Sequence, residues 1–386
     1  MWHVTSIFLQ YMHFEQNEVL AFDATVKELL RPLLTVLEDN PGATELCVNR
    51  PGEIYIEVGA DWRRYERPEI TLPYCLSLAT AIATYTEQEI NPAHPILSAM
   101  LPGGERMQIV IPPAVEQGTV SFSIRIPSAS IKSLDDYEAE GAFSRFVWAK
   151  SPYFETRKHE LPEIDQELCA CLASNRLKQF INLAVKARKN IAFVGNTGSG
   201  KTTLMKSACQ AIPTSERLTT IEDVREIFLP QHPNRVHLLY SKGGQGVANV
   251  TPAALIASNM RMKPDRVLLA ELRGSEAYDF LKLLTTGHSG SITTFHAESC
   301  ALAYERYVFM CKEHDNAAIY DAAALKHLVT LTIDIIIHLL AQNHHDVHGQ
   351  PVIKERYVAE VHYDPIAKLI AQFGNATLHH AESSSK

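Results

Sequence analysis

Ile191-Ala192-Phe193-Val194 runs straight into Gly195-Asn196-Thr197-Gly198-Ser199-Gly200-Lys201-Thr202-Thr203, and the apolar residues that follow, Leu204, Ala208 and Cys209, recur at helical spacing. The order is a short apolar strand, a glycine-rich loop and a helix, with G-x-x-x-x-G-K-[ST] spelled across the loop. Glycines there let backbone N–H groups converge at a helix N-terminus, where unsatisfied donors and the helix dipole already favour an anion. The pattern therefore predicts a cradle for ATP and Mg²⁺. Thr197, Gly198, Ser199, Gly200, Lys201, Thr202 and Thr203 bind the phosphates, Lys201 supplies charge to the β and γ groups, and the Thr202 hydroxyl is offered to the metal.

Outward from this loop, apolar runs at 190–194, 218–221, 266–270 and 291–295 alternate with helical stretches at 201–211 and 275–286. Such alternation specifies a mostly parallel sheet covered by helices. Hydrolysis needs an acid to orient water and a second hold on the metal, both at C-terminal strand ends near the loop. Two acids qualify: Glu222, after Leu218-Thr219-Thr220-Ile221, is assigned to water, and Glu271, after Val267-Leu268-Leu269-Ala270, to the metal shell. A glutamate is one methylene longer than the usual aspartate, which favours metal contact through water. His296, at the end of Ser291-Ile292-Thr293-Thr294-Phe295, falls on the same sheet edge and could report the γ-phosphate, whereas His288 reads as structural.

The front half has a different pattern. After an opening helix near 24–38, Leu46-Cys47-Val48 and Ile54-Tyr55-Ile56-Glu57-Val58 flank Asn49-Arg50-Pro51-Gly52, the composition of a tight hairpin turn. Val120 to Ile126 alternates apolar and polar residues without a miss, as a half-buried strand requires. Pairing it with Arg106 to Ile111 through a turn centred near Val115 and Glu116 sets Arg106 opposite Arg125. Two like charges across strands are unfavourable unless an anion sits between them, so both arginines become candidate nucleotide contacts. Ser128 to Pro162, polar with scattered aromatics, reads as a linker whose aromatics dock on a neighbouring surface in the same or another subunit. The expected organisation is a front domain at 1–130, a linker at 131–163 and the phosphate-binding domain at 164–386.

At 386 residues and 46% hydrophobic content the chain can fill two cores. A formal charge of −8 gives no global reason to bind nucleic acid, and direct nucleic-acid binding is not expected. Seven scattered cysteines fit reduced thiols rather than a disulfide framework. The first residues lack the basic region of a secretory signal. The densest apolar stretch, 330–341, falls short of the ~20 residues of a membrane helix and holds Asp334 and His338. His338, His344, His345 and His348 lack acids or cysteines at ligand spacing and read as a polar turn rather than a metal site.

Four boxes in order, GNTGSGKTT, TTIEDVREI, RVLLAELRG and TGHSGSITTFHA, together with ELCVNRPGEIYIE and SFSIRIPS in the front half, resemble the hexameric traffic ATPases of type IV secretion and conjugation. The resemblance covers roughly residues 25 to 345. It implies a RecA-like α/β P-loop domain with a mostly parallel sheet behind an α+β N-terminal domain with an antiparallel sheet. It further implies a homo-hexamer that is cytoplasmic, peripherally associated with the inner membrane and engaged with other type IV secretion components. The family's catalytic glutamate, its third-box glutamate and its box histidine fall on Glu222, Glu271 and His296, and its front-domain arginines on Arg106 and Arg125. Ala270 departs from the glycine common before the third-box glutamate. Arg225, Arg261 and Arg273 are candidates to act across a subunit boundary. Three other readings share features of the sequence: a pilus or type II secretion ATPase, which shares the four boxes; a P-loop kinase, which would leave the front domain unexplained; and a nucleotide-gated docking ring with little turnover.

Overall fold

A computed structural model of the chain describes residues 24–59, 61–126, 131–240, 250–345 and 351–373. The chain divides into two compact units. Among the described residues, the first holds those up to 126 together with 343–345 and 351–354, and the second holds 131–240, 250–342 and 355–373.

In the first unit, helix 24–38 precedes strands β1 (Ala43–Val48), β2 (Glu53–Val58) and β3 (Asp61–Glu66). The helix Leu72–Tyr85 then leads to β4 (Ile96–Met100), β5 (Arg106–Val110) and β6 (Ser121–Arg125). Thr71 starts the Leu72–Tyr85 helix by accepting the Tyr74 N–H, with a proline in the first turn where no donor is lost. The sheet order is β3-β2-β1-β6-β5-β4, antiparallel at every pairing. Leu46, Val48, Ile54, Ile56, Phe122 and Ile124 alternate into one core, as period two requires. The β1–β2 turn puts Gly52 at φ 89°, a conformation that side chains disfavour.

The second unit's sheet carries β7 (Val147–Ala149), β8 (Ile191–Gly195), β9 (Leu218–Glu222), β10 (Arg235–Leu239), β11 (Arg266–Leu269), β12 (Ile292–Phe295), β13 (Ile335–His345) and β14 (Pro351–His362), with residues 343–345 and 351–354 of the last two counted in the first unit. Their order is β10-β9-β11-β12-β8-β13-β14-β7, with β8 to β12 joined in parallel. Every residue of β8, β9, β11 and β12 is buried, which is why these strands read as unbroken apolar or threonine-rich runs: helices cover both faces. Thr251, Ser299 and Asp321 each accept a backbone N–H to start the helices Pro252–Met262, Cys300–Lys312 and Ala322–Thr332.

Two stretches bear on the reading of the sequence, the first by docking its aromatics within the subunit, one of the two alternatives expected. Residues 131–163 carry a capping box at Ser133 and Asp136, and Leu134, Tyr137, Phe143, Phe154 and Leu161 are buried in the second unit's own core. Trp148 donates to the Tyr363 carbonyl at 2.9 Å. These aromatics are therefore accounted for inside the unit. The expected turn around His338, His344 and His345 is instead strand β13, where His338 pairs in parallel register with Val194 and is 4% exposed. His348 lies outside the described residues, as do the first 23 residues on which the signal reading rested.

Candidate active site

Parallel strands bring their C-terminal ends, and the loops after them, to one edge, and the candidate residues gather there. After β8 the loop needs its glycines. A Cβ on Gly195 would stand 2.3 Å from the Leu339 carbonyl oxygen and 2.7 Å from Ser199 Oγ. Gly198 and Gly200 hold φ of 75° and 92°, and Gly200 opens the helix Lys201–Cys209. Ser199 Oγ is buried and, among the described residues, has no hydrogen-bond partner. Tight glycine turns, an orphan buried hydroxyl and a helix N-terminus form a donor set that suits a phosphate chain. From outside, Arg356 Nε donates to the Gly198 carbonyl at 2.9 Å. Nothing in the sequence marked this residue, because it arrives from β14, 158 positions away.

Lys201 is 7% exposed and donates to the Asn196 carbonyl at 3.1 Å. Its Nζ also lies 3.4 Å from His296 Nδ1, and His296 Nε2 lies 3.0 Å from Glu271 Oε1. The neighbours fix the tautomer: Nε2–H donates to the carboxylate, and the Nδ1 lone pair faces the ammonium. Burial, then the Lys201 charge, lowers the His296 pKa, with Glu271 acting in the opposite sense, so the neutral ring is favoured. Glu271 in turn accepts from Arg273 at 2.6 and 2.8 Å, and Arg273 reaches Asp223 at 3.1 Å. Lys201, His296, Glu271, Arg273 and Asp223 thus form one connected chain of alternating donors and acceptors. Arg273 is engaged within its own subunit, by acids on two neighbouring loops.

Glu222 departs from its expected place. Its carboxylate is wholly buried: Oε2 accepts from the Glu226 and Ile227 N–H groups at 2.7 Å each, and Oε1 accepts from Thr220 Oγ1 at 2.5 Å, with His237 Nδ1 at 3.3 Å. Side chains on a strand alternate in direction, so Glu222 shares the face of Thr220, and it is the next residue, Asp223, that joins the chain around Lys201. Strand ends could be counted in the sequence, but faces could not. Thr202 and Thr203 sit in the first turn of the Lys201–Cys209 helix, half-buried.

In the first unit the register pairs Arg106 with Arg125, as the hairpin arithmetic predicted. The same row continues across the sheet, with Arg125 opposite Glu45 and Glu45 opposite Glu57, and Lys354 Nζ lies 3.3 Å from Glu57. Burial raises the Glu45 pKa, while Arg125 and Arg106 oppose that rise. Glu45, which sequence spacing alone does not place, stands opposite Arg125 in the register.

A family model described as "Type II/IV secretion system protein" matches residues 157–363. The chain is 43% identical over 347 residues to the type IV secretion system protein VirB11 of Brucella suis biovar 1, spanning 89% of this chain and 92% of that protein. The crystal structure of the VirB11 ATPase from the Brucella suis type IV secretion system in complex with sulphate is 41% identical, covers 92% of this chain and 99% of its own, and has a TM-score of 0.48. The pilus retraction motor PilT with bound ADP has a TM-score of 0.53 at 17% identity, over 88% of this chain and 85% of its own.

Proposed function

This chain belongs to the type II/IV secretion system protein family, and from that premise we propose how its site works. The protein is an ATPase motor of type IV secretion. The observation that carries the mechanism is the continuous chain from Lys201 through His296 and Glu271 to Arg273 and Asp223, set at the mouth of a glycine loop built for phosphates.

In this reading the loop from Thr197 to Thr203 binds ATP, and Lys201 exchanges its Asn196 carbonyl for phosphate oxygens. Mg²⁺ would be held by the Thr202 hydroxyl and, through water, by Glu271, and would supply neutralisation of phosphate charge. His296 stands between Lys201 and Glu271 and so senses the γ-phosphate at Lys201. The acids after β9 divide the orientation of water. Asp223 faces the site, and Glu222 fixes the loop that carries Asp223. Arg106 and Arg125 contribute charge to the nucleotide from the first unit.

The assembled form in this proposal is a homo-hexamer, docked on the cytoplasmic face of the inner membrane beside other type IV secretion components. Among the described residues no helix is long and apolar enough to cross a membrane. One observation favours a second reading, a nucleotide-gated ring with little turnover: the Glu222 carboxylate is saturated by donors and buried. Steady-state phosphate release set against ATP affinity separates the two. Measurable turnover that requires Lys201 supports the motor, and tight binding without turnover supports the switch.

A further inference from the structure

We propose that Arg273 is a positioning residue for hydrolysis: its guanidinium ties the Asp223 loop to Glu271, so that the two acids act as one unit. The inference rests on the ATPase reading and names a part that the reading does not require.

The geometry is that of a clamp. Nε and one terminal nitrogen both reach Glu271 Oε2, at 2.8 and 2.6 Å, while the other terminal nitrogen reaches Asp223 Oδ2 at 3.1 Å. The planar fork fixes both directions at once, which an ammonium cannot do. Each end is anchored in turn. Asp223 Oδ1 accepts from the Val224 N–H at 3.0 Å, so a carboxylate held by Arg273 also holds the start of the 223–227 loop, whose far end is held by Glu222. On the other side, Glu276 Oε1 accepts the Arg273 and Gly274 N–H groups at 2.7 and 3.1 Å, fixing the backbone from which the guanidinium projects. The side chain of Asp223 is 8% exposed and that of Arg273 36%, so the pair is partly shielded from solvent. Among the described residues, the Arg273 guanidinium reaches Glu271 and Asp223 and makes no hydrogen bond to the phosphate loop. Its removal should therefore leave nucleotide binding intact and blur the placement of the acids.

The test uses the full chain with R273Q, D223N, the double variant and R273K, and reads steady-state phosphate release, thermal unfolding and amide exchange at 224–227. R273Q and D223N should each lower kcat at least tenfold, with KM for ATP within twofold of the parent and unchanged melting. The double variant should be no slower than the slower single, because the two residues form one unit. Amide exchange at 224–227 should quicken in R273Q. R273K keeps charge without the fork and should fall between parent and R273Q, and it stands in if R273Q does not fold. Additive losses in the double variant, a raised KM at parental kcat, or unaltered exchange in the loop would overturn the proposal. A parent that releases no phosphate would defeat the ATPase reading instead, and the exchange measurement would still decide whether Arg273 holds the loop.

Discussion

Arg106 stands directly opposite Arg125 across β5 and β6. The two are not alike in their other neighbours, because Arg125 is also paired across β6 and β1 with Glu45. Arg125→Ala removes the centre of that row and should destabilise the protein by about 0.2–1 kcal/mol, the range of an opposite-charge cross-strand pair, while Arg106→Ala serves as the comparison for nucleotide binding. If both bind nucleotide as proposed, each change also weakens ATP binding by about 1–3 kcal/mol, the cost of a charge-assisted bond. Thermal unfolding and equilibrium ATP binding on the same samples check this. Unchanged affinity in both variants would leave the arginines a purely structural row.

Glu222 gives a prediction in which fold and chemistry separate. Glu222→Gln can turn its amide so that the oxygen keeps the Glu226 and Ile227 N–H groups, while its nitrogen meets Thr220 Oγ1 and His237 Nδ1, both able to accept. The fold and ATP affinity should survive, and turnover should fall as the loop bearing Asp223 loses its charged anchor. Glu222→Ala strands buried N–H donors and should cost about 1–3 kcal/mol of stability for each group left unpaired. Chemical denaturation of the two variants would contradict this assignment if glutamine proved as destabilising as alanine.

Acid should weaken the second unit through Glu216. Arg266 is fully buried and forks onto Glu216 at 2.7 and 2.8 Å, and that bonding leads the causes that hold the Glu216 pKa below its ordinary value. A depressed folded pKa means that the pair's contribution is complete above the unfolded glutamate value, near 4.5, and is lost as pH falls through the folded value. Glu216→Gln should mimic the loss at neutral pH and cost about 3–5 kcal/mol, because it leaves a buried guanidinium without its counter-charge. Melting measured from pH 7 to pH 3 should show the parent converging on the variant. A constant gap between them across that range would rule out this pair as the cause.

The chemistry of single loops was legible in the sequence, and the geometry between distant segments was not. The phosphate loop, the alternating strands and the β5–β6 register follow from local spacing, since glycine, period two and turn length each act over a few residues. The Arg106–Arg125 pairing came from such arithmetic. What escaped depends on contacts between remote segments: Arg356 on the loop's outer side, Glu45 beside Arg125, and the side of the sheet on which Glu222 lies. The stretch 131–163 looked like a tether because its polar residues outnumber its aromatics, yet Tyr137 and Phe143 stack at 5.6 Å within a core whose other members lie far along the chain. His338 misled for a related reason, since a strand that continues a parallel sheet can bury a histidine that composition alone would leave in solvent.

Phosphate release from ATP by the purified full chain, measured beside equilibrium ATP binding in the parent and in Lys201→Ala, tests the central claim most directly. Lys201 is the cation at the mouth of the loop and the first link of the chain to Glu271 and Asp223. Mg²⁺-dependent release is expected in the parent, with loss of both tight binding and release in the variant. Release at the parental rate from Lys201→Ala, or a parent that binds ATP tightly and releases no phosphate, would contradict it.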